Sequence, residues 1–360
     1  MKTLSVCFIV KDEEEVLERI LEKVKCFADE IVVVDTGSTD RTVEIARKYT
    51  DKIFFFEWCD DFSKARNFSF SKATCEYLMW LDADDYIFPK DIEKIKKFMN
   101  EDEEFDVAYF KYVTNFDKNF KPTFIFERER IVRREMNFKW FEPVHEVLVP
   151  FGKIVHKDIK IYHFKSAKEK TGRNLKIYEN RIKAGEQLSA RAEFYYAREL
   201  YFNGLYEKAI ATFQSFLKRG DAWVENRIEA CLNLANCYLA INLKDEALKT
   251  LFSSFVYDLP RAEILCKIGE IYFEQDYKKA IYYYELALKS PVDTTKGGFI
   301  FPDFHNFTPA LQLCVLYYKL GDFKKAYKFH KMSKKFKPNH PSVQYNEKVF
   351  ERLRKEQGID

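Results

Sequence analysis

Tyr77-Leu78-Met79-Trp80-Leu81-Asp82-Ala83-Asp84-Asp85 decides how the first half of the chain folds. An unbroken apolar run that stops at Asp82, Asp84 and Asp85 reads as a buried strand delivering acids at its carboxyl end. Buried carboxylates are costly unless something positive meets them. A divalent cation holding a diphosphate is the natural guest, because hard oxygen ligands suit Mg²⁺ or Mn²⁺. An ordinary strand followed by an acidic turn has the same local pattern, so the flanking segments must discriminate.

Those segments alternate in period. Leu4 to Val10 predicts a short buried strand. Glu13 to Phe27 predicts a helix, with Val16, Leu17, Ile20, Leu21 and Val24 on one face. Ile31 to Val34 and Lys52 to Phe56 predict further strands, and Thr39 to Tyr49 a helix capped by Ser38 or Thr39. Phe62 to Ala73 predicts a third helix. Strand and helix in this alternation predict a doubly wound, mostly parallel sheet, whose ligands bind beyond the carboxyl ends of the strands. Asp12, Asp35, Asp82 and Asp84 all fall at such ends. Lys11-Asp12-Glu13 follows the first strand where a dinucleotide-binding domain needs a Gly-rich turn, which disfavours that class.

Beyond about residue 190 the pattern is helical and repeats. The phrases Leu205-Tyr206-Glu207-Lys208-Ala209, Leu243-Lys244-Asp245-Glu246-Ala247, Tyr277-Lys278-Lys279-Ala280 and Phe323-Lys324-Lys325-Ala326 recur. Small residues at Ala209, Ala247, Ala280 and Ala326 let paired helices approach closely, and Gly204 and Gly321 mark turns. This half resembles a tetratricopeptide solenoid of four repeats, with a loop insertion at residues 294–304. The expected division is 1–185 and 186–360, an α/β domain followed by an all-α one.

Composition narrows the class further. The 360 residues hold 60 Lys plus Arg against 57 Asp plus Glu, a balance that gives no electrostatic footprint for nucleic acid. Eight cysteines without a Cys-x-x-Cys pair argue against zinc and for free thiols in a reducing cytoplasm. No uncharged apolar stretch is long enough to span a bilayer, and the first ten residues lack the features of a signal peptide.

Asp35, Arg66 and His163 admit two readings each. Asp35 opens Asp35-Thr36-Gly37-Ser38-Thr39-Asp40 and can accept from a base or ribose; otherwise it starts a turn whose helix Asp40 caps. Arg66 suits phosphate or base oxygens, or else a surface ion pair with Asp60 or Asp61. Glu146 follows the aromatic-rich Trp140-Phe141-Glu142-Pro143-Val144-His145, which predicts a desolvated acid of raised pKa, fit to serve as a general base. His163 ends Ile159-Lys160-Ile161-Tyr162 and either completes a metal shell begun by Asp84 or is a half-buried, hydrogen-bonded histidine.

Taken in order, Ile9-Val10-Lys11-Asp12-Glu13, Val33-Val34-Asp35-Thr36-Gly37-Ser38-Thr39-Asp40, Asp61-Phe62-Ser63-Lys64-Ala65-Arg66-Asn67, Leu81-Asp82-Ala83-Asp84, Val144-His145-Glu146 and Ile161-Tyr162-His163 resemble the family 2 glycosyltransferases of GT-A fold. The resemblance is to the branch with tetratricopeptide repeats, which includes peptide glycosyltransferases that modify bacteriocins. It implies a UDP-sugar donor held by Val10, Asp12, Glu13, Asp35, Arg66, Asp82 and Ala83, with Asp82 toward the ribose. It implies Mg²⁺ or Mn²⁺ on Asp84 with help from His163, and Glu146 as the base of an inverting transfer. The helical half would dock a peptide or glycan acceptor, and the resemblance leaves room for a homodimer. Two other classes remain: a repeat scaffold with an inactive transferase domain, and a nucleotidyltransferase, against which the missing Lys-containing Gly-rich loop argues.

Overall fold

A computed structural model describes residues 2–117, 120–164, 172–292 and 298–357. The chain divides into two compact units, Met1–Tyr195 and Tyr196–Asp360.

In the first unit the order is β1 (Leu4–Val10), α1 (Leu17–Val24), β2 (Glu30–Asp35), α2 (Thr42–Arg47), β3 (Ile53–Phe55), α3 (Phe62–Lys72) and β4 (Tyr77–Trp80). Then come β5 (Asp85–Tyr86), α4 (Pro89–Asn100), β6 (Val107–Phe116), β7 (Pro122–Arg133), β8 (Trp140–Phe141), β9 (Val147–Leu148), β10 (Ile154–His163) and α5 (Arg173–Lys183). Eight strands form one sheet in the order β3-β2-β1-β4-β7-β6-β10-β5, while β8 and β9 make a separate hairpin. β3, β2, β1 and β4 run parallel, as the strand–helix alternation predicts. β7 enters antiparallel between β4 and β6, so the sheet is mixed rather than uniformly wound. Val6, Phe8, Leu17, Ile20, Leu21, Val33, Met79 and Ile131 pack one face, and Cys7, Val32, Val34, Trp80, Val132 and Trp140 the other. Both faces are covered, which is why β1, β2 and β4 read as continuous apolar runs.

Two expected helix starts move. The first helix begins at Leu17, not Glu13, because residues 12–16 form a turn closed by the Leu17 amide donating to the Glu13 carbonyl. Neither Ser38 nor Thr39 caps α2. Ser38 Oγ accepts from the Asp12 amide, Thr39 donates to the Asp12 carboxylate, and Asp40 takes the Thr42 amide and hydroxyl. α3 starts where expected, with Asp61 accepting from the Lys64 amide as an N-cap.

The second unit holds the continuation of α6 (Ala190–Phe202), then α7 (Tyr206–Leu217), α8 (Val224–Ala240), α9 (Lys244–Ser253), α10 (Ala262–Tyr272), α11 (Tyr277–Lys289), α12 (Phe307–Lys319), α13 (Phe323–Phe336) and α14 (Pro341–Gln357). This series resembles an α-solenoid of the tetratricopeptide kind. Ala209, Ala247, Ala280 and Ala326 are all fully buried, as close helix approach requires. The turns after α6 and α12 are left-handed at Gly204 (φ +73°) and Gly321 (φ +78°), with the next amide reaching back to Leu200 and Tyr317. Asn242 (φ +63°) makes the same turn after α8 without a glycine. The expected insertion lies partly outside the described residues; its described end forms a short turn at Pro302–His305. All eight cysteines are free, and Cys7, Cys231, Cys237, Cys266 and Cys314 are buried. No described helix is long and apolar enough to cross a membrane.

Candidate active site

The acids of Asp82-Ala83-Asp84-Asp85 leave β4 at the carboxyl edge of the parallel strands. Cys7 of β1 pairs with Trp80, and Val10 pairs with Asp35 of β2, so Asp35 and the acid loop share one edge of the sheet. β5 then folds back as a two-residue strand against β10, placing His163 opposite Asp85 and Tyr162 opposite Tyr86. The Phe164 amide donates to the Asp84 carbonyl and closes this corner. Residues nearly eighty positions apart thereby become neighbours. Asp82, Asp84, Asp85 and His163 offer ligand atoms that all lie within 4.8 Å of one another.

The electrostatics of this cluster favour a cation. Burial, reinforced by the charges of Asp82, Asp85 and Glu13, pushes the Asp84 carboxyl up to about 7 despite the imidazole 3.2 Å away. Burial alone would lower His163; the hydrogen bond to Asp85 and the charges of Asp85, Asp84 and Asp82 instead raise it to about 9. The free site therefore retains protons at neutral pH that a divalent cation would displace. Three carboxylates and an imidazole are a donor set that fits Mg²⁺ or Mn²⁺; Asp82 is already paired with Arg66 and Asp85 with Arg130, which leaves Asp84 the least encumbered carboxylate.

Arg66 flanks the cluster from α3. It pairs with neither Asp60 nor Asp61. Its Nη2 donates to Asp82 Oδ1 at 2.7 Å and its Nε to Glu146 Oε1 at 2.5 Å, while its guanidinium lies over Trp80 and Trp140. Burial would lower the Arg66 pKa, but Glu146 and Asp82 raise it above its ordinary value. Burial likewise opposes ionisation of Asp82, and Arg66, His163 and Arg130 overcome it, holding Asp82 well below the usual carboxylate range.

The expected raised pKa of Glu146 is overturned. Burial is the largest single influence and pushes it up, but the Arg66 charge, the Arg66 hydrogen bond and the residue's own backbone amide together outweigh it, and the net direction is down. Glu146 is thus a carboxylate in the free protein. The β8–β9 hairpin carries it: His145 takes a left-handed φ of +54°, its ring stacks on Tyr195, and Arg191 donates to its carbonyl. Arg128 fixes the Glu146 carbonyl at 3.2 Å.

The nucleotide-side residues group around the turn after β2. Asp35 is almost fully buried and accepts the Gly37 and Ser38 amides, while Asp12 (φ +54°) accepts from Thr39. The Val10 carbonyl receives the amide and hydroxyl of Thr36. The Glu13 amide donates to Thr42 Oγ1, and the Glu13 charge reaches Asp84. Ala83 is buried between the two cluster acids. The structure thus brings together Asp82, Asp84, His163, Arg66 and Glu146, while Asp12 and Asp35 serve their own loop. Tyr112 and Arg130, which nothing in the sequence marks, stand directly behind the cluster.

Residues 5–161 match the family model described as Glycosyl transferase family 2. The N-terminal unit has the fold of a family 2 glycosyltransferase. Among individual proteins, the chain is 29% identical over 222 residues to the SPbeta prophage-derived glycosyltransferase SunS of Bacillus subtilis, covering 58% of this chain and 51% of that one. It is 47% identical over 85 residues to a TPR repeat-containing protein of Synechococcus elongatus, covering 24% of this chain and 21% of the relative. The chain thus spans about half, or less, of the length of these curated relatives. The solved structure of S. aureus TarS 1-349 aligns with 94% of this chain and 93% of its own at 13% identity and a TM-score of 0.36, too loose a superposition to bear on the site. The matched span takes in Asp82, Asp84 and Asp85 of the cluster and ends two residues before His163.

Proposed function

We propose that the protein is an inverting, metal-dependent glycosyltransferase that moves a sugar from a UDP-sugar to an acceptor. One observation carries this reading: Asp82, Asp84, Asp85 and His163 converge at the carboxyl edge of a family 2 sheet, beside an Arg66–Glu146 pair. A Mg²⁺ or Mn²⁺ held by Asp84 and His163 would supply countercharge to the diphosphate. Asp82 and Arg66 orient the ribose side of the donor, with Val10, Asp12, Glu13, Asp35 and Ala83 along the nucleotide. Glu146 takes the acceptor proton while the acceptor attacks the anomeric carbon from the face opposite the leaving group. A single displacement needs no nucleophile from the protein. Arg66 tempers the basicity of Glu146, and an anionic donor that draws on Arg66 would restore it.

The acceptor reading rests on two supports. A peptide side chain of Cys, Ser or Thr is what the resemblance to repeat-bearing peptide glycosyltransferases implies, and SunS, named a glycosyltransferase, is 29% identical over 222 residues. The helical unit, which we take to begin near residue 186, offers the kind of repeat surface that holds extended ligands. The unpaired thiols fit a cytoplasmic setting.

The test is UDP release from a panel of UDP-sugars, with Mn²⁺ or Mg²⁺ and with EDTA, and with NMR of the product anomer. Metal-dependent UDP release with inverted anomeric configuration is expected. Release that is indifferent to EDTA removes the metal, a retained configuration removes the single displacement, and pyrophosphate in place of UDP replaces sugar transfer with nucleotidyl transfer.

A further inference from the structure

The four-residue cluster looks like four equal ligands, but its surroundings divide it. Asp85 is fully buried, whereas Asp82 and Asp84 keep partial exposure. Its Oδ2 accepts from Arg130 Nη1 at 3.3 Å and from the Asp82 amide at 3.1 Å. Its Oδ1 accepts from the Tyr112 hydroxyl at 2.9 Å and lies 3.3 Å from His163 Nδ1. Asp85 thus already has a fixed cation and fixed donors on both oxygens.

Arg130 is equally buried. It stacks between the rings of Trp80 (3.7 Å) and Tyr112 (4.1 Å), and Nη1 also donates to the Trp80 carbonyl at 3.2 Å. Among the described residues its Nε and Nη2 have no hydrogen-bond partner, and Asp85 is the carboxylate paired with it. Tyr112 ties the layers together: its hydroxyl lies 2.9 Å from His163 Nδ1 and 3.3 Å from Asp82 Oδ2 as well.

We infer that Asp85, Arg130 and Tyr112 form a fixed support behind the cation site, in which Asp85 is the counter-ion of Arg130 and a positioning residue, not a metal ligand. Tyr112 transmits that support: its one hydroxyl proton serves Asp85, and its oxygen faces His163 Nδ1 and so holds the ring. The inference deepens the metal site proposed above, yet part of it is independent of any metal. Neutralising one of several crowded acids relieves repulsion. Neutralising the partner of a buried arginine leaves a buried charge unanswered, which is strongly destabilising.

Melting in EDTA separates the two. Asp84→Asn is expected to melt at or above the parental temperature, and Asp85→Asn lower by roughly 6 °C or more. An Asp85→Asn protein as stable as Asp84→Asn overturns the counter-ion role; one too unstable to purify agrees with it. Tyr112→Phe keeps the ring on Arg130 and removes only the hydroxyl, so it is the second arm. Its affinity for Mn²⁺, read by the electron paramagnetic resonance of the free ion, is expected to fall about 10-fold, the usual effect of losing a group that orients a ligand. Parental affinity in Tyr112→Phe overturns the transmitting role. A folded Asp85→Asn protein that loses Mn²⁺ as completely as Asp84→Asn, while Tyr112→Phe does not, makes Asp85 a ligand and overturns the inference. A parental protein that binds no Mn²⁺ instead removes the proposed metal and with it the part given to Tyr112, while the melting order still decides the Asp85–Arg130 pair.

Discussion

Two carboxylates at opposite edges of one sheet have opposite fates. Glu30 begins β2 at the amino edge, where the Ser5 hydroxyl, the Lys52 ammonium and the amide and hydroxyl of Thr74 all donate to it. Burial would raise its pKa, but those hydrogen bonds, Lys52 first, bring it down to about 2. Asp84 leaves β4 at the carboxyl edge, where burial and the charges of Asp82, Asp85 and Glu13 take it up to about 7. Both acids sit among polar groups of the same domain. The difference is that Glu30 is met by donors of the fold, whereas the Asp84 neighbourhood has more negative charge than the fold answers. A structural acid is satisfied in the free protein, and an unsatisfied one is a candidate for a ligand.

The largest test of this contrast removes the unsatisfied acid. Asp84→Ala should lower metal-dependent transfer by about 10³-fold, because a countercharge to the leaving diphosphate contributes several kcal/mol to the transition state. Circular dichroism should show an intact fold. Full turnover of this variant in EDTA would end the metal role of Asp84.

A comparable effect is expected at the acid beside Arg66. Glu146→Gln keeps the volume and leaves Arg66 its bond to Asp82, so the donor pocket should survive. Calorimetry should give parental UDP affinity, while transfer slows by about 10² to 10⁴-fold. A parental transfer rate would assign the base elsewhere.

The third test uses protons. Asp84 at about 7 and His163 at about 9 both hold protons that compete with a cation. Affinity for Mn²⁺ should therefore rise with pH by up to about 10-fold per pH unit for each proton displaced, steepest below about 7 where both groups are protonated and shallower from there to about 9. Calorimetry in buffers of different ionisation enthalpy would count those protons. A pH-independent affinity between about 6 and 8 would mean that neither group titrates against the ion.

How much of this was legible in the sequence depended on where each signal was stored. The apolar run into Asp82 and Asp84 was explicit, since a buried strand has to be continuously apolar. The repeats announced themselves through Ala209, Ala247, Ala280 and Ala326, because close helix contact admits only small residues. The turn at Asn242 was silent, as asparagine enters the left-handed region without being restricted to it. Arg130 was hidden inside Glu127-Arg128-Glu129-Arg130, a charge run that reads as a solvated face although Glu129 and Arg130 are buried. Tyr112 stands in Tyr109-Phe110-Lys111-Tyr112, where nothing in the local sequence sets it apart from the other aromatics. The ionisation of Glu146 was misread for a related reason: the guanidinium that governs it lies eighty positions away, and no local window contains both.

The smallest effect is expected at the satisfied acid, and it concerns stability alone. A carboxylate whose folded pKa lies below its unfolded value adds stability that is present above the unfolded value and lost as pH falls through the folded one. For Glu30 that window runs from its ordinary value of 4.5 down to about 2. Asp84 has the reverse sign: with its folded value near 7, the cost of its ionisation is absent below 3.8 and grows until pH passes about 7. Glu30→Gln should thus destabilise the protein by about 1.5–3 kcal/mol at neutral pH, the loss of hydrogen bonds to a charged group. The deficit should shrink below about pH 4 as the parental carboxylate begins to protonate. Donor binding should not change, since Glu30 stands at the far edge of the sheet from Asp84. Urea unfolding at about pH 7 and about pH 3, with UDP affinity measured alongside, checks all three. A Glu30→Gln protein with parental stability but weakened UDP binding would erase the distinction between the two edges.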